Sequence, residues 1–568
     1  MSPKSLLSSL LGTAILLGFT LLPVSWVLAM DSPTSLDKIT AGYQVGQIDY
    51  SEMLVEQMKA FFAPQTLSSE FKAAQTGMIK SGTGLVMQVL DHWSEFTEEQ
   101  RSLLAGFLGR PAKAFSYDSP EGYFLIHYDT QGPEAVPPQD NNSNGIPDFV
   151  ERIGQYCDSA RAVYSDQGYL PPPMLDTAGG DGKYDIYLLS LSGYGMTVPE
   201  APGDSVWNDR TSYIGIHCTF YFSLFPNDDP EGDSIGAQKV TCAHEFFHAV
   251  QLAYNYDINE YLWLMEATAT WMEEIVFPEV NDNYNFLPYF FNVPERKLIS
   301  TTNYHHYGAL VWAAFLSQRF DPAIIRWLWE ACRYNGSLDA TDSSLAPFGS
   351  DLAHAYQEFT LWNYHTGGRA VPGKYYSDAA HYPEVKLDHT YSTLVQDTVR
   401  PVTAPDGLGC NYIRLLVDST ARGTWELVLD GSDLVRWGNV AVLAAPSPDS
   451  AILRISNGID LIYIYVPSIE DYTSVAAIPE VISRYGTVNP YVLRSSVLPH
   501  GDANFDRVVN VGDASYLVQY VFRGGTAPKP ILASGDANCD GNVNVADAVR
   551  IINYVFSGGE EPCAGSNR

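Results

Sequence analysis

Positive charge is scarce in this chain. Lys and Arg together number 33 of 568 residues, against 66 Asp and Glu, for a formal net charge of −33. That balance argues against nucleic acid or an anionic membrane as partner, and it suits an exported protein that holds cations. Cysteine is sparse too, at seven residues. The number allows disulfides in an exported chain but leaves one cysteine odd. Cys539 and Cys563 share one short C-terminal segment and are the first pair to join. The pairing of Cys157, Cys218, Cys242, Cys332 and Cys410 is not legible in the sequence. No stretch beyond the first thirty residues is apolar enough to span a bilayer.

Those first thirty residues read as a secretory signal. Lys4 gives the positive start, Leu6 to Leu28 is mostly apolar, and Val27-Leu28-Ala29 offers a small-residue cleavage site. An uncleaved anchor is the rival reading, and Pro23 and Ala29 favour cleavage. No Cys follows the site, so no bacterial lipid anchor is expected. The expected location is secreted, extracellular or cell-surface associated.

At about 150 residues per domain the length suggests three or four domains. Residues 1–29 are the signal. Residues 30–112 read as mainly helical. Thr97 and Gln100 form a capping box there, and Gly109-Arg110-Pro111 ends the last helix. This segment is either a prosegment that blocks a cleft or an N-terminal subdomain that stays in place. Residues 113–384 mix strands, such as 124–128, 184–188 and 212–216, with long helices from about 234 onward. Residues 385–496 alternate short β-rich runs with turn residues and read as a β-sandwich. Residues 497–568 carry a duplicated motif.

The chemistry is concentrated in His244-Glu245-Phe246-Phe247-His248. On a helix, His244 and His248 leave the same face one turn apart, as two ligands of one tetrahedral zinc require. Glu245 beside them is placed to take a proton from a zinc-bound water. Val240, Ala243, Phe247 and Val250 form an apolar stripe that buries one side of this helix, which either Asp233 or Ser234 could cap. Cys242 points away from the ligand face and reads as core.

A site of this kind needs a third protein ligand and one open position. One solution places a His six residues after the second His, beyond a Gly turn. Gln251 and Tyr254 occupy those positions, so it fails here. The other takes a Glu from a following helix, and Glu266 in Trp263-Leu264-Met265-Glu266-Ala267 supplies it. Thr270 and Glu273, one and two turns on, are candidates to hydrogen-bond a ligand His. Glu260 falls in the probable connection and is the weaker ligand.

These motifs resemble the gluzincin, thermolysin-like metallopeptidases. Cys242-Ala243-His244-Glu245-Phe246-Phe247-His248-Ala249 followed by Trp263 to Ala267 looks closer still to a family of secreted bacterial metalloproteases. The likeness covers about 115 to 370. It implies an α+β gluzincin-like peptidase domain, one catalytic zinc on His244, His248 and Glu266, Glu245 as base and then acid, and a polypeptide substrate. The spacing to Glu266 is slightly shorter than in thermolysin-like enzymes. Related enzymes use a Tyr or His after the ligand helix as the neutral donor. Here Tyr307 is the first choice and His306 the second.

Three segments fit acidic calcium loops with ligands at positions 1, 3, 5, 7, 9 and 12. The first uses Asp140, Asn142, Asn144, Asp148 and Glu151, with Gly145 at position 6. The others are repeats: Asp502, Asn504, Asp506, Asn510 and Asp513, then Asp536, Asn538, Asp540, Asn544 and Asp547. Two or three structural calcium ions are expected. Each repeat runs into an apolar helix that ends in Gly-Gly. From about 500 to 563 the pair resembles a type I dockerin, which implies a small α-helical domain that folds on calcium and docks to a cohesin module. Arg507 replaces the usual Gly at position 6 of its loop. Val511-Gly512 and Val545-Ala546 stand where a Ser/Thr-type partner code is common. A cap that docks onto the chain's own sandwich is the rival reading.

The expected fold is multidomain: peptidase domain, β-sandwich and dockerin-like tail. The expected activity is zinc-dependent endopeptidase. A non-catalytic surface or adhesion scaffold with a structural zinc is the alternative, and hydrolysis of a glycan-linked amide is a third.

Overall fold

The computed structural model describes residues 33–74, 79–174, 182–222, 224–444, 452–459 and 461–563. The signal expected at 1–29 lies outside them. The chain is a multidomain α/β protein with several sheets.

The first half alternates helix and strand. In order they are α1 Ser35–Gln44, α2 Tyr50–Phe62, β1 Ile79–Ser81, α3 Thr83–Asp91, α4 Glu98–Leu108, β2 Phe115–Asp118 and β3 Phe124–Tyr128. Then come α5 Asp148–Asp166, β4 Tyr184–Leu189, β5 Gly193–Pro202, β6 Arg210–His217, α6 Asp233–Gln251 and α7 Ile258–Val276. Capping boxes open α1, α2 and α4, at Thr34, Asp49 and Thr97, where a side chain satisfies an otherwise unpaired N–H. The six strands form one sheet in the order β1-β5-β6-β4-β3-β2. β5 is antiparallel to β6, and β1 adds parallel to β5. A Cβ on Gly193 would stand 2.3 Å from the Ile79 carbonyl oxygen, so only glycine admits β1 at that register.

Alternation along the strands gives the sheet two apolar faces. Ile186, Leu188, Ile214 and Ile216 enter the main core with α5 and α6. Tyr187, Leu189, Met196, Val198 and Tyr213 face the other way, where Phe61 of α2 and Val86 of α3 cover them. The boundary expected at 112 therefore cuts through one packed unit. β1 and α3 belong to the sheet, and removing residues 30–112 would bare its second face.

The helix α6 is buried from Gly236 to Gln251, on all sides rather than along the single expected stripe. The Phe246 ring lies 4.9 Å from Phe124 and 5.8 Å from Tyr164. Its N-cap is Gly232, at φ 102°, and neither Asp233 nor Ser234 serves as the cap.

Six helices follow: α8 Pro288–Phe291, α9 His305–Gly308, α10 Leu310–Arg319, α11 Ile324–Cys332, α12 Ser337–Leu345 and α13 Leu352–Tyr364. The next nine strands are β7 His389–Tyr391, β8 Gln396–Val399, β9 Ile413–Leu416, β10 Thr424–Gly431, β11 Trp437–Ala444, β12 Ile452–Gly458, β13 Ile462–Val466, β14 Ser474–Val481 and β15 Tyr491–Leu498. They form two sheets, β13-β10-β15-β8 and β12-β11-β14-β9-β7. Trp425 and Leu427 of one share a core with Ile413, Leu415 and Ala441 of the other, which makes a sandwich. The outer face of the five-stranded sheet, through Val440, Val442, Ala476 and Ile478, joins the main core.

The tail holds α14 Val511–Arg523 and α15 Val545–Ser557 around Ala503, Ala514, Leu517, Ala537, Ala548 and Ile551. Gly524 and Gly558, both in the left-handed region, end these helices. A disulfide joins Cys539 to Cys563, and the other five cysteines are buried and free. Among the described residues no helix is long and apolar enough to cross a membrane.

Candidate metal centre

Three buried atoms from α6 and α7 converge. His244 Nε2 lies 3.0 Å from His248 Nε2 and 3.1 Å from Glu266 Oε2. His248 Nε2 is 3.5 Å from the same Glu266 oxygen. Tetrahedral zinc with ligand bonds near 2.1 Å separates its ligand atoms by about 3.4 Å, so the spacing fits.

The other ring nitrogens explain why these atoms face one another. His244 Nδ1 donates to Glu273 Oε1 at 2.7 Å, and His248 Nδ1 donates to Gln251 Oε1 at 2.8 Å. The Gln251 amide is oriented by its own donations to the Met265 carbonyl and the Thr268 hydroxyl, both at 2.9 Å. With the Nδ1 atoms so engaged, both Nε2 atoms face the Glu266 carboxylate. Two imidazole nitrogens and a carboxylate in a buried pocket suit a cation, which would displace the proton that His244 holds toward Glu266. Burial opposes charge on His244, but Glu266 and Glu273 outweigh it and raise that residue to about 9. Burial also works against the Glu266 charge, yet His248 and His244 hold it far below the usual carboxylate range.

Lys80 of β1 anchors this layer. Its ammonium bonds Glu273 Oε2 at 2.8 Å and also Asp282, with all three groups buried. Lys80 stays charged because the two carboxylates overcome burial. Thr270 donates to its own helix at the Glu266 carbonyl, and Glu260 accepts from Ser337 away from the centre.

Glu245 is 1% exposed. Its Oε2 accepts from the Thr83 hydroxyl at 2.8 Å and the Thr197 hydroxyl at 2.9 Å. Its Oε1 is buried without a hydrogen-bond partner among the described residues. The Tyr307 ring packs 6.1 Å from the His244 ring. Burial, then the charge of Glu266, push Tyr307 well above its ordinary value, so the phenol is neutral. Burial lowers His306 to about 4, which leaves a neutral imidazole. A cavity of about 700 Å³ opens beside them, walled by Glu266, His306 and Tyr307 and by Leu36, Tyr43 and Met53 of α1 and α2.

Lys80, Thr83, Thr197 and Asp282 gave no signal in the sequence. Isolated polar residues on strands and turns acquire a role only when the sheet carries them under α6 and α7. Gln251 lies three residues after His248 on α6, a spacing that puts the two on neighbouring turns of one face.

The acidic loops close on themselves through hydrogen bonds. Glu151 accepts from the Asn142 and Asn144 amides at 3.0 and 2.7 Å, and Asp140 accepts from the Gly145 N–H at 2.9 Å. Asp148 accepts from the Asn141 backbone N–H at 2.9 Å. In the repeats, Asp502 and Asp506 bond within one loop and Asp536 and Asp540 within the other. Asp513 and Asp547 each close their loop by accepting three backbone N–H groups. Asn510 and Asn544 also serve as helix N-caps: their side-chain oxygens accept from Gly512 and Ala546. A helix start needs that acceptor, and position 9 of each loop is where the helix begins.

Residues 500–556 match the type I dockerin domain, which covers both repeated loops and their helices. The matches include no peptidase family. Comparison with the curated proteins finds no match.

Proposed function

We propose that this protein is a secreted, zinc-dependent endopeptidase with a gluzincin-type catalytic unit, tethered through its calcium-binding dockerin domain to a cohesin-type module. The observation that carries the reading is the pairing of two features in one buried site. His244, His248 and Glu266 offer three converging ligand atoms. Beside them Glu245 keeps one carboxylate oxygen without a partner among the described residues.

His244, His248 and Glu266 would hold zinc, which when bound supplies Lewis-acid activation of water and carbonyl. Glu245 Oε1 accepts the proton of the attacking water and returns it to the leaving amine. Burial and the Glu266 charge keep the Tyr307 phenol protonated, so its hydroxyl is available to a carbonyl oxygen that gains negative charge. Neutral His306 stands on the same wall. The cavity is large enough for an extended peptide segment, and its walls are mostly apolar or uncharged.

The alternative is a scaffold with a structural zinc. Such a site has no use for Glu245, which is buried at a desolvation cost. Cleavage of casein by residues 31–568 tests the proposal, with and without a zinc chelator, in excess calcium, beside Glu245→Gln. The expected result is hydrolysis that chelator removes and zinc restores, lowered at least 100-fold in the variant with zinc still bound. Zinc-loaded protein that cleaves no polypeptide would refute it.

A further inference from the structure

We infer that Thr83 is a positioning residue for the base: its hydroxyl selects which oxygen of Glu245 is held and which is free to take a proton. The inference rests on the hydrolase reading of the site. A threonine hydroxyl has one proton and two lone pairs. Thr83 Oγ1 accepts from the Thr197 backbone N–H at 2.8 Å and from the Ser81 hydroxyl at 3.0 Å. With both lone pairs engaged, its proton goes to Glu245 Oε2, 2.8 Å away.

Thr197 is placed differently. Its hydroxyl lies 2.8 Å from the Glu245 backbone oxygen and 2.9 Å from Oε2, so one proton faces two acceptors. Thr83 is therefore the committed donor. Ser81, Thr83, Thr197 and Glu245 are all buried, so bulk water does not replace these bonds. Gly195 closes the floor: a Cβ there would stand 2.9 Å from Glu245 Cγ. The carboxylate is thus fixed through Oε2, and Oε1 is left to the reaction.

The consequence reaches the N-terminal segment. Thr83 opens α3 directly after β1. Residues 79–83 belong to the working site, and removing them would deprive the base of its donor rather than unblock a cleft.

The test uses the full mature chain, residues 31–568. Thr83→Val keeps the shape and removes the hydroxyl, and Thr83→Ser keeps the hydroxyl. Thr83→Val is expected to lower kcat for peptide cleavage 10- to 100-fold with KM and zinc content unchanged, while Thr83→Ser stays near wild type. A second readout needs no metal. In the metal-free protein, Thr83→Val should lower the thermal midpoint, and it should do so much less once Glu245→Ala has removed the acceptor. Wild-type kcat in Thr83→Val, equal impairment in Thr83→Ser, or additive midpoints would each overturn the inference. If Thr83→Val does not fold, Thr83→Ala is read by the same comparisons. A wild-type chain that binds zinc and cleaves nothing is a failure of the hydrolase reading. The metal-free cycle still decides the Thr83–Glu245 link in that case.

Discussion

Single buried carboxylates do different work in this molecule, and their surroundings decide which. Glu266 is held ionised by two imidazoles, whereas Glu480 of β14 lies against α13 with no cation beside it among the described residues. Thr360 donates to one Glu480 oxygen, and the other has no partner among the described residues. Burial raises Glu480 from 4.5 to about 8. Between those values the folded chain keeps a proton that the unfolded chain has released. Stability from this group is therefore greatest below pH 4.5, falls as pH rises, and levels off above 8. From pH 5 to 8 the thermal midpoint of wild type should fall relative to that of Glu480→Gln, which mimics the protonated side chain. Equal slopes would mean that Glu480 titrates normally.

At the scale of elements, the three-residue strand β1 has an influence beyond its length. It extends the sheet beside β5 and leads into α3, which brings Thr83 to Glu245. It also sends Lys80 under α7 to Glu273 and Asp282. Removing one partner of a buried ion network leaves uncompensated charge, at a cost of about 3–5 kcal/mol. Lys80→Met should lose stability of that order in chemical denaturation. It should also weaken zinc binding about 10- to 100-fold, because Glu273 orients the His244 ring. A variant as stable as wild type would show that the two carboxylates find other partners. Such a strand is hard to read from sequence. Ile79-Lys80-Ser81 is too short for a period, and its pairing depends on Gly193 and Gly195 more than a hundred residues away.

Over the whole molecule, the units are tied through specific polar contacts as well as apolar packing. Arg507, the departure from glycine in the first dockerin loop, reaches the β-sandwich. Its guanidinium bonds Glu426 at 2.5 Å and Ser496 at 3.2 Å. His500 pairs with Glu470 at 2.6 Å, and the Phe505 ring lies 6.5 Å from Tyr465. Arg507 has φ 68°, a conformation that costs a non-glycine residue about 1 kcal/mol. Half of its side chain is exposed, so the ion pair itself contributes at most about 1 kcal/mol. Arg507→Gly should leave calcium affinity of the first loop unchanged or tighter. It should also loosen the domain from the sandwich, seen as faster proteolysis near residue 500 and a larger radius in solution scattering. A variant no more open than wild type would place the attachment in His500 and Phe505.

The sequence by itself determined what is local. The i, i+4 spacing of His244 and His248 sits on one helix turn. The capping box at Thr97 closes within three residues, and the duplicated loops carry their own acidic pattern. Short-range geometry follows from backbone period and side-chain type, so these features were legible. At Asn510 and Asn544 the same oxygen suits a cation and a helix start. Tertiary structure alone decided what joins distant segments. It set β1 against β5, wrapped α2 and α3 over the second face of the sheet, and carried Thr83 to Glu245 and Lys80 to Glu273. Those contacts span more than a hundred residues of chain. No local pattern specifies them, since each arises from how two apolar faces find a common core.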